Sequence, residues 1–443
     1  MLSDNLSDIF SEDCLNEIAK ETGFVKRSST ITGANFLELL LSNSALGTSL
    51  SLEDLASRFE SAFGKQISKQ GLDERFNENT VLFLKKVLKQ LIEKELSMAL
   101  PGNKEPQFKS CRLRDSTRFG LPNEFKSVYK GHGGATKSES MISIQYEFDL
   151  LSGNHIDLQL TSGCRNDQKD TLESITNIRE GELLIRDLGY VTSGYIREVV
   201  DAKAFFLNRL PSQMSIYDQK GKKIKFDTLF NKLKKNGLPY LELPILLGKK
   251  AQTPCRLVVS ICEDDAVKKR LKKTTKNTQS TGHKVSQETK DRAKLNMYIT
   301  NAPESKIMAQ SIYQIYTLRW QIELIFKVWK SIVKINQVKK VKLHRFESIL
   351  LAGLIWVLAN WRLFQVVDKW LKIDRKNKKS LSIWKFYKFT SHYLSSFINL
   401  IKAQISIEEW LSTLLNIANS KLIRDVKKGA LSHNQRLEVL FSS

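Results

Sequence analysis

A mixed α/β fold with helical segments at both ends follows from three features of the chain. Residues 1 to about 95 carry helix caps ahead of amphipathic stretches, short apolar runs punctuated by Gly and Asn turns take over from about Phe108, and helical spacing returns from about residue 368. The 443 residues leave room for two to four domains, and 41% apolar content supports a sizeable core.

In the first segment, Ser51-Leu-Glu-Asp54 forms a capping box ahead of an amphipathic helix to Phe63, and a turn at Gly64 with a second cap at Ser68 introduces ISKQGLDERFN. Two short helices around a Gly-containing turn suit a helix-turn-helix, with Lys65, Lys69, Gln70 and Arg75 available to phosphates or base edges. A helical hairpin without a DNA role fits the same pattern.

The middle of the chain reads as strands. FKSCRLRDST alternates until Asp115, MISIQYEFDLL and HIDLQLT form a hairpin around Ser152-Gly153-Asn154, DTLESITNIREG reads as a helix ending at Gly181, and ELLIRDLGY is an apolar strand that ends in Asp187. Strand, hairpin, helix, strand is the order of an RNase H-like core, in which the first and fourth strands lie side by side and present Asp115 and Asp187 together. A helix (YIREVVDA) and a strand (AFFLNRL) follow, and turn signals from Pro211 to about Ser260 predict a compact β-rich insertion. Residues 266 to 287, rich in Lys and without an acid, read as a mobile basic linker or as a contact for DNA backbone. LNMYITNAP is a further core strand, and a long helix from Glu304 carries Glu323, which stands 136 positions beyond Asp187. The expected divisions are 1–105 (helical, DNA-binding), 106–210 (core, first part), 211–289 (insertion and linker), 290–367 (last strand and catalytic helix) and 368–443 (helical).

Within that helix the run YTLRWQIELIFKVWK places Tyr316, Arg319, Glu323 and Lys330 in an arc of roughly 60°, apart from the apolar face of Ile315, Leu318, Ile322, Ile325, Phe326 and Trp329. One acid flanked by a phenol and two cations suits a carboxylate holding a metal ion beside a phosphate backbone. Arg319 and Glu323 also match an ordinary i,i+4 surface pair. Asp115 and Asp187 have local alternatives as turn caps. Three carboxylates remote in sequence can clamp hard divalent ions such as Mg²⁺, with substrate phosphate completing the coordination.

Composition agrees with a polyanionic partner: seventy Lys and Arg against forty-seven Asp and Glu leave a formal charge of +23. The five cysteines are odd in number and form no CxxC pair, and the six histidines are scattered, so neither a disulfide framework nor a zinc site is indicated. Gly131, Gly133 and Gly134 read as a flexible loop without the following GK[ST] of a phosphate cradle. Residues 1 to 20 hold five acids and lack a secretory pattern, and the apolar run Ile349 to Trp361 is short for a bilayer crossing and reads as a buried helix. All seven tryptophans lie in the last third, where core and interface packing is the expected role, Trp320 included. An amphipathic piece from Ile405 to Ile417 suits dimer contacts.

The spacing of Tyr316, Arg319, Glu323 and Lys330, with Trp320 after the arginine and Trp329 before the lysine, resembles the signature of DDE transposases of the insertion-sequence-four family, the Tn-five type included. DST at Asp115, DLGY at Asp187 and the following FFLNRL resemble the other motifs of that family in the correct order, over roughly residues 108 to 345. The resemblance implies that Asp115, Asp187 and Glu323 bind catalytic Mg²⁺, for which Mn²⁺ can substitute. Tyr316, Arg319 and Lys330 would contact phosphates of the transferred strand. It further implies an N-terminal domain that recognises element ends on double-stranded DNA, and a homodimer that synapses two ends. The reaction would be cut-and-paste transposition through nicking, hairpin formation and strand transfer, with Trp320 near a flipped base, in a bacterial cytoplasm with no membrane partner. A DNA-binding relic acting as a repressor, or a nuclease with the same core and no joining step, are the rival expectations.

Overall fold

The computed structural model describes residues 6, 8–27, 29–47, 50–94, 105–133, 138–166, 177–250, 252–279, 284–374, 380–402, 404–406, 409–410, 412–414, 417, 421–425 and 433–441. Among them the strands are β1 Cys111–Gly120, β2 Met141–Asp149, β3 His155–Ser162, β4 Leu183–Arg186, β5 Phe205–Arg209, β6 Ile216–Tyr217, β7 Leu241–Leu247, β8 Thr253–Ile261 and β9 Leu295–Thr300. The helices up to the last strand are α1 Glu12–Glu21, α2 Gly33–Ala45, α3 Leu52–Phe63, α4 Lys69–Arg75, α5 Glu78–Glu93, α6 Ser193–Asp201, α7 Phe226–Asn236, α8 Asp264–Gln279 and α9 Gln287–Ala293. Beyond it come α10 Ile312–Thr317, α11 Trp320–Ser331, α12 Leu343–Asp374, α13 Ile383–His392, α14 Leu394–Ile401 and α15 His433–Glu438. The chain is thus mixed α/β. It divides into two compact units that interleave along the sequence: Met1–Asn103, Asp115–Arg165 and Gln321–Asn434 in the first, Lys104–Arg114, Asn166–Trp320 and Gln435–Ser443 in the second.

In the first unit the predicted caps are present. Ser51 Oγ accepts from the Asp54 amide while the Asp54 carboxylate accepts from the Ser51 amide, and Ser68 Oγ accepts from the Gly71 amide. Both arrangements satisfy amides that a helix start leaves without partners. α3 ends at Gly64 in the left-handed region (φ 62°), where glycine carries no steric penalty. The hairpin of β2 and β3 turns at Gly153 (φ 80°), and the Asp149 carboxylate accepts from the amides of Leu151 and Ser152.

α12 is the central helix of this unit, packing on α2 and α5. The buried helix expected around Ile349 to Trp361 is present and runs further at both ends. By length and composition Leu343–Lys369 could cross a bilayer, yet 89% of its most apolar window is buried in protein. Arg362 on this helix is 1% exposed and donates to the carbonyls of Leu91 and Lys94, satisfying oxygens at the C-terminal end of α5. Trp329, Trp356, Trp361 and Trp410 are buried, as their packing role predicts, whereas Trp384 is 37% exposed.

His155 is enclosed between strand and helix: the Tyr146 hydroxyl stands 2.7 Å from Nδ1 and the Leu358 carbonyl 3.3 Å from Nε2. One donor and one acceptor suit the neutral imidazole, with Nε2–H donating to Leu358. Burial, reinforced by the Arg362 charge, pushes this histidine down from 6.5 to about 3.

The second unit holds the first half of β1 with β4 to β9. β1, β4 and β5 run parallel, and β5, β9, β8, β7 and β6 continue antiparallel. All four residues of β4 are buried, as expected for a strand covered on both faces. Three expectations for this unit need correction. The region from Pro211 to Ser260 is not β-rich throughout. It contains α7, whose Phe226, Leu229 and Leu233 recur on one face against Tyr195, Phe206 and Leu257, and β7 and β8 extend the row of strands through β9. The basic stretch after Asp264 is mostly helix α8 rather than a linker. No long helix starts at Glu304. Turns lead through a short 3-10 segment, Ala309–Ser311, into α10.

The helix expected over Asp170–Gly181 falls largely outside the described residues, as do His283, Gly134 and five of the thirteen residues of Ile405–Ile417. Residues 178–181 are not helical.

Because unfolded histidine takes up a proton near 6.5 and buried His155 does not until about 3, its stability contribution is complete above 6.5 and is lost as pH falls towards 3. Unfolding free energies from urea titrations at pH 7 and pH 5 should differ by about 2 kcal/mol from this residue. A His155→Phe variant should lack that part of the slope.

Candidate active site

The geometry begins with strand register. β1 and β4 are parallel partners with Leu113 opposite Ile185 and Arg114 opposite Arg186, and Asp115 and Asp187 are the next residues along the chain. Two buried positions therefore fix where each acid emerges, since a one-residue slip would turn every side chain to the other face. The register rests on internal ion pairing: Arg112, 2% exposed, donates to Glu182 at 2.8 Å and to the Asn177 carbonyl at 2.7 Å. Past Leu184 and Phe206 the pairing of β4 with β5 stops, and the Asn208 side-chain amide supplies the missing donor, reaching the Arg186 carbonyl at 2.8 Å.

Asp187 sits where β4 ends and a 3-10 turn, Leu188–Tyr190, begins, but its carboxylate makes no capping bond there. The side chain is 48% exposed, with Arg319 Nε at 3.9 Å. Its alternative as a turn cap is therefore not realised. Asp115 is no turn cap either, because β1 continues five residues beyond it to Gly120, and this extension corrects the strand end expected at Asp115. Its Oδ1 accepts from the Ser116 amide at 2.8 Å.

The stripe of Tyr316, Arg319, Glu323 and Lys330 is not one uninterrupted helix face. α10 ends at Thr317, the amides of Leu318 and Arg319 bond three residues back to Ile315 and Tyr316, and α11 starts at Trp320. Tyr316 is 8% exposed and packs on Tyr298 with ring centroids 5.3 Å apart. Burial raises its phenol above the usual range, so it stays a neutral hydroxyl at physiological pH. Arg319 lies with Cζ 6.0 Å from the Tyr316 ring, which holds the guanidinium beside Asp187. Trp320, expected to pack, is 54% exposed.

In the first unit, Glu323 stands in the first turn of α11 and is partly buried. Lys330 at the other end of α11 donates to the Arg118 carbonyl of β1 at 3.0 Å, joining the helix that bears Glu323 to the strand that bears Asp115. Burial lowers its pKa. Lys69 is exposed on α4, while Arg75 is half-buried and donates to Ser29 Oγ at 2.9 Å.

In the second unit an open cleft of about 750 Å³ is walled by Arg209, Tyr298, Tyr313, Tyr316, Arg319 and Trp320 among others. Cations with accessible aromatic faces are the chemistry that holds a nucleic-acid strand. Arg209 and Asn208 were not singled out by the sequence, although both lie in FFLNRL. What marks them is the change of β5 from parallel to antiparallel partners. Among the described residues no three or more His, Cys, Asp and Glu side chains gather as a metal cage. The acids offer hard oxygen donors, and Asp187 is accessible, which is the donor type divalent Mg²⁺ takes.

Comparison with known proteins identifies the family. Residues 106–358 match the family described as "Transposase DDE domain". The chain is 29% identical over 439 residues to the transposase for insertion sequence element IS1151 of Clostridium perfringens, covering 94% of this chain and 91% of that one. It is also 29% identical over 459 residues to the transposase for IS231F of Bacillus thuringiensis subsp. israelensis, covering 99% and 93%. The IS231B transposase of Bacillus thuringiensis subsp. berliner is 27% identical over 460 residues, covering 100% and 94%. The family that matches comprises DNA-acting enzymes that require a divalent metal. Within that class, the chain belongs to the DDE transposase family and is a DNA transposase.

An Asn208→Leu variant removes the donor to Arg186 without opening a cavity. Its stability should fall by about 1 kcal/mol in denaturant melts. DNA cleavage should fall more than DNA binding, because the strand end that aims Asp187 is loosened.

Proposed function

We propose that this protein excises an insertion sequence from double-stranded DNA and joins it to a new site. Its Asp115, Asp187 and Glu323 would hold Mg²⁺ ions on an RNase H-like core, here built from β1 to β5. The observation that carries this reading is the β1–β4 register, which brings Arg114 and Arg186 together immediately before two of the three acids. The order β3-β2-β1-β4-β5, with β1 beside β4, supports the core assignment, and the match over residues 106–358 contains all three acids.

When bound, two such ions would activate the attacking oxygen and stabilise the leaving one. The chain's own residues do the rest. Arg319 and Lys330 place fixed positive charge against non-bridging phosphate oxygens, Arg319 being oriented by the Tyr316 ring. Tyr316, kept neutral by burial, can donate a hydrogen bond to a phosphate without adding negative charge. Lys330 must exchange the Arg118 carbonyl for phosphate to make that contact, and burial has already stripped part of the water from its ammonium. Trp320 is exposed enough to meet an unstacked base. Lys69 and Arg75 belong to the helices we assign to end recognition, with Lys69 the more available of the two. The reading includes a homodimer that brings two ends together, and action in the cytoplasm.

A DNA fragment bearing the inverted repeats that flank the gene is the test substrate. With Mg²⁺ or Mn²⁺ the wild type should nick it, form hairpins and join ends to a target. Asp187→Asn should reduce cleavage by about a thousandfold or more while end binding stays within a few-fold. Calorimetric Mn²⁺ binding to the protein–DNA complex should weaken in the same variant. Binding without cleavage by the wild type would favour a repressor, and cleavage without joined products a nuclease.

A further inference from the structure

The helix that replaces the expected basic linker has a divided surface. On α8, Lys268, Lys269, Lys272, Lys273 and Lys276 are all exposed and fall within an arc of about 140° at helical spacing. Val267, Leu271, Thr274 and Thr278 occupy the opposite side and are partly buried. Arg270, the cation on the packed side, pegs the helix: it donates to the carbonyls of Ala293 and Leu295 at 3.2 and 2.9 Å and to Asn296 Oδ1 at 2.6 Å. The lysines have no such duty. Among the described residues only Lys268 approaches a carboxylate, Asp265 at 3.8 Å, with both side chains more than three-quarters exposed.

The surrounding sequence adds to this charge. Between Pro211 and Lys294 there are twenty Lys and Arg against eight Asp and Glu, so over half of the chain's formal excess of +23 lies in this stretch. Position gives the face its meaning. Ala266 and Arg270 line the cleft of Tyr316 and Arg319, and Lys273 with Arg270 lines the neighbouring cleft of about 470 Å³. On the helix the lysine arc begins where the cleft wall ends. A duplex lying across it would pass the mouth of that cleft.

We propose that the lysine face of α8 grips the target duplex, the DNA into which the element is joined, through its phosphates. The inference rests on the transposase reading. Lysine ammonium groups are compact point charges that attract any phosphate backbone and discriminate no base sequence. Element ends must be chosen by sequence, whereas a target grip works on unrelated DNA. A fixed helix with its charges directed outward meets that second requirement.

The test replaces all five lysines with glutamine (K268Q, K269Q, K272Q, K273Q, K276Q) in the full chain, with K272Q/K276Q as a milder variant. Three measurements are made: cleavage of an end-bearing fragment with Mg²⁺, joining of pre-cleaved ends to an unrelated plasmid, and affinity for a random duplex over a range of salt. Cleavage is expected to stay within about twofold and joining to fall tenfold or more. The log–log salt slope for the random duplex should become shallower by about 0.9 for each phosphate that is no longer neutralised. Unchanged joining, or an unchanged salt slope, overturns the proposal. A parallel loss of cleavage also overturns it, by showing that the face holds element ends. If the wild type neither cleaves nor joins, the transposase reading itself fails, and the salt slope alone then decides whether the face grips DNA. Thermal melts of both variants guard against misfolding, and the milder one should show an intermediate loss.

Discussion

The parallel pairing of β1 with β4 is the constraint on which the site depends. It is short, four residue pairs, yet it joins two segments about seventy positions apart and ends directly before two acids. Nothing in that pairing is catalytic. Its strength comes from burial on both faces, from the Arg112–Glu182 pair and from the Asn208 amide that takes over where the ladder stops. A buried guanidinium is costly unless its donors are met, so once met it specifies one arrangement more sharply than an apolar side chain would.

Much of this was legible in the sequence, for identifiable reasons. β4 and β5 are continuous apolar runs, the β2–β3 turn carries its Ser-Gly-Asn signal, and the caps at Ser51 and Ser68 announce their helices. The three acids were singled out because their flanking motifs resemble those of the family in order, and the match over residues 106–358 spans them. What escaped had weak or competing signals. α7 carries Phe226, Leu229 and Leu233 at helical spacing, but lysines and Gly237 around it imitate turns. α8 has little apolar content beyond Val267 and Leu271, and it is held by Arg270, a residue type that composition assigns to solvent. The interruption at Leu318 and Arg319 leaves no trace in the pattern, because apolar residues recur through it without a gap.

Charge in this protein performs two separate tasks. Arg112, Arg270 and Arg362 are consumed internally, each ending on carbonyls or a carboxylate that position helices and strands. Among the described residues most lysines are exposed and set the long-range field. Arginine's planar fork suits the first task and lysine's mobile point charge the second. The net charge of +23 therefore does not measure the DNA-facing surface directly, since part of the cationic content is architecture.

The covered state of α12 has a bearing on how the chain can be handled and made. Its greasy length is tolerable in water because α2 and α5 lie over it and the Arg362 guanidinium donates to carbonyls at the end of α5. Those covering helices are translated first and must wait for a partner made some 250 residues later. Fragments that begin near residue 105 would carry the same segment bare, inviting aggregation or adventitious insertion into lipid. The catalytic portion is thus bound to its N-terminal helices for solubility as well as for any role in DNA recognition.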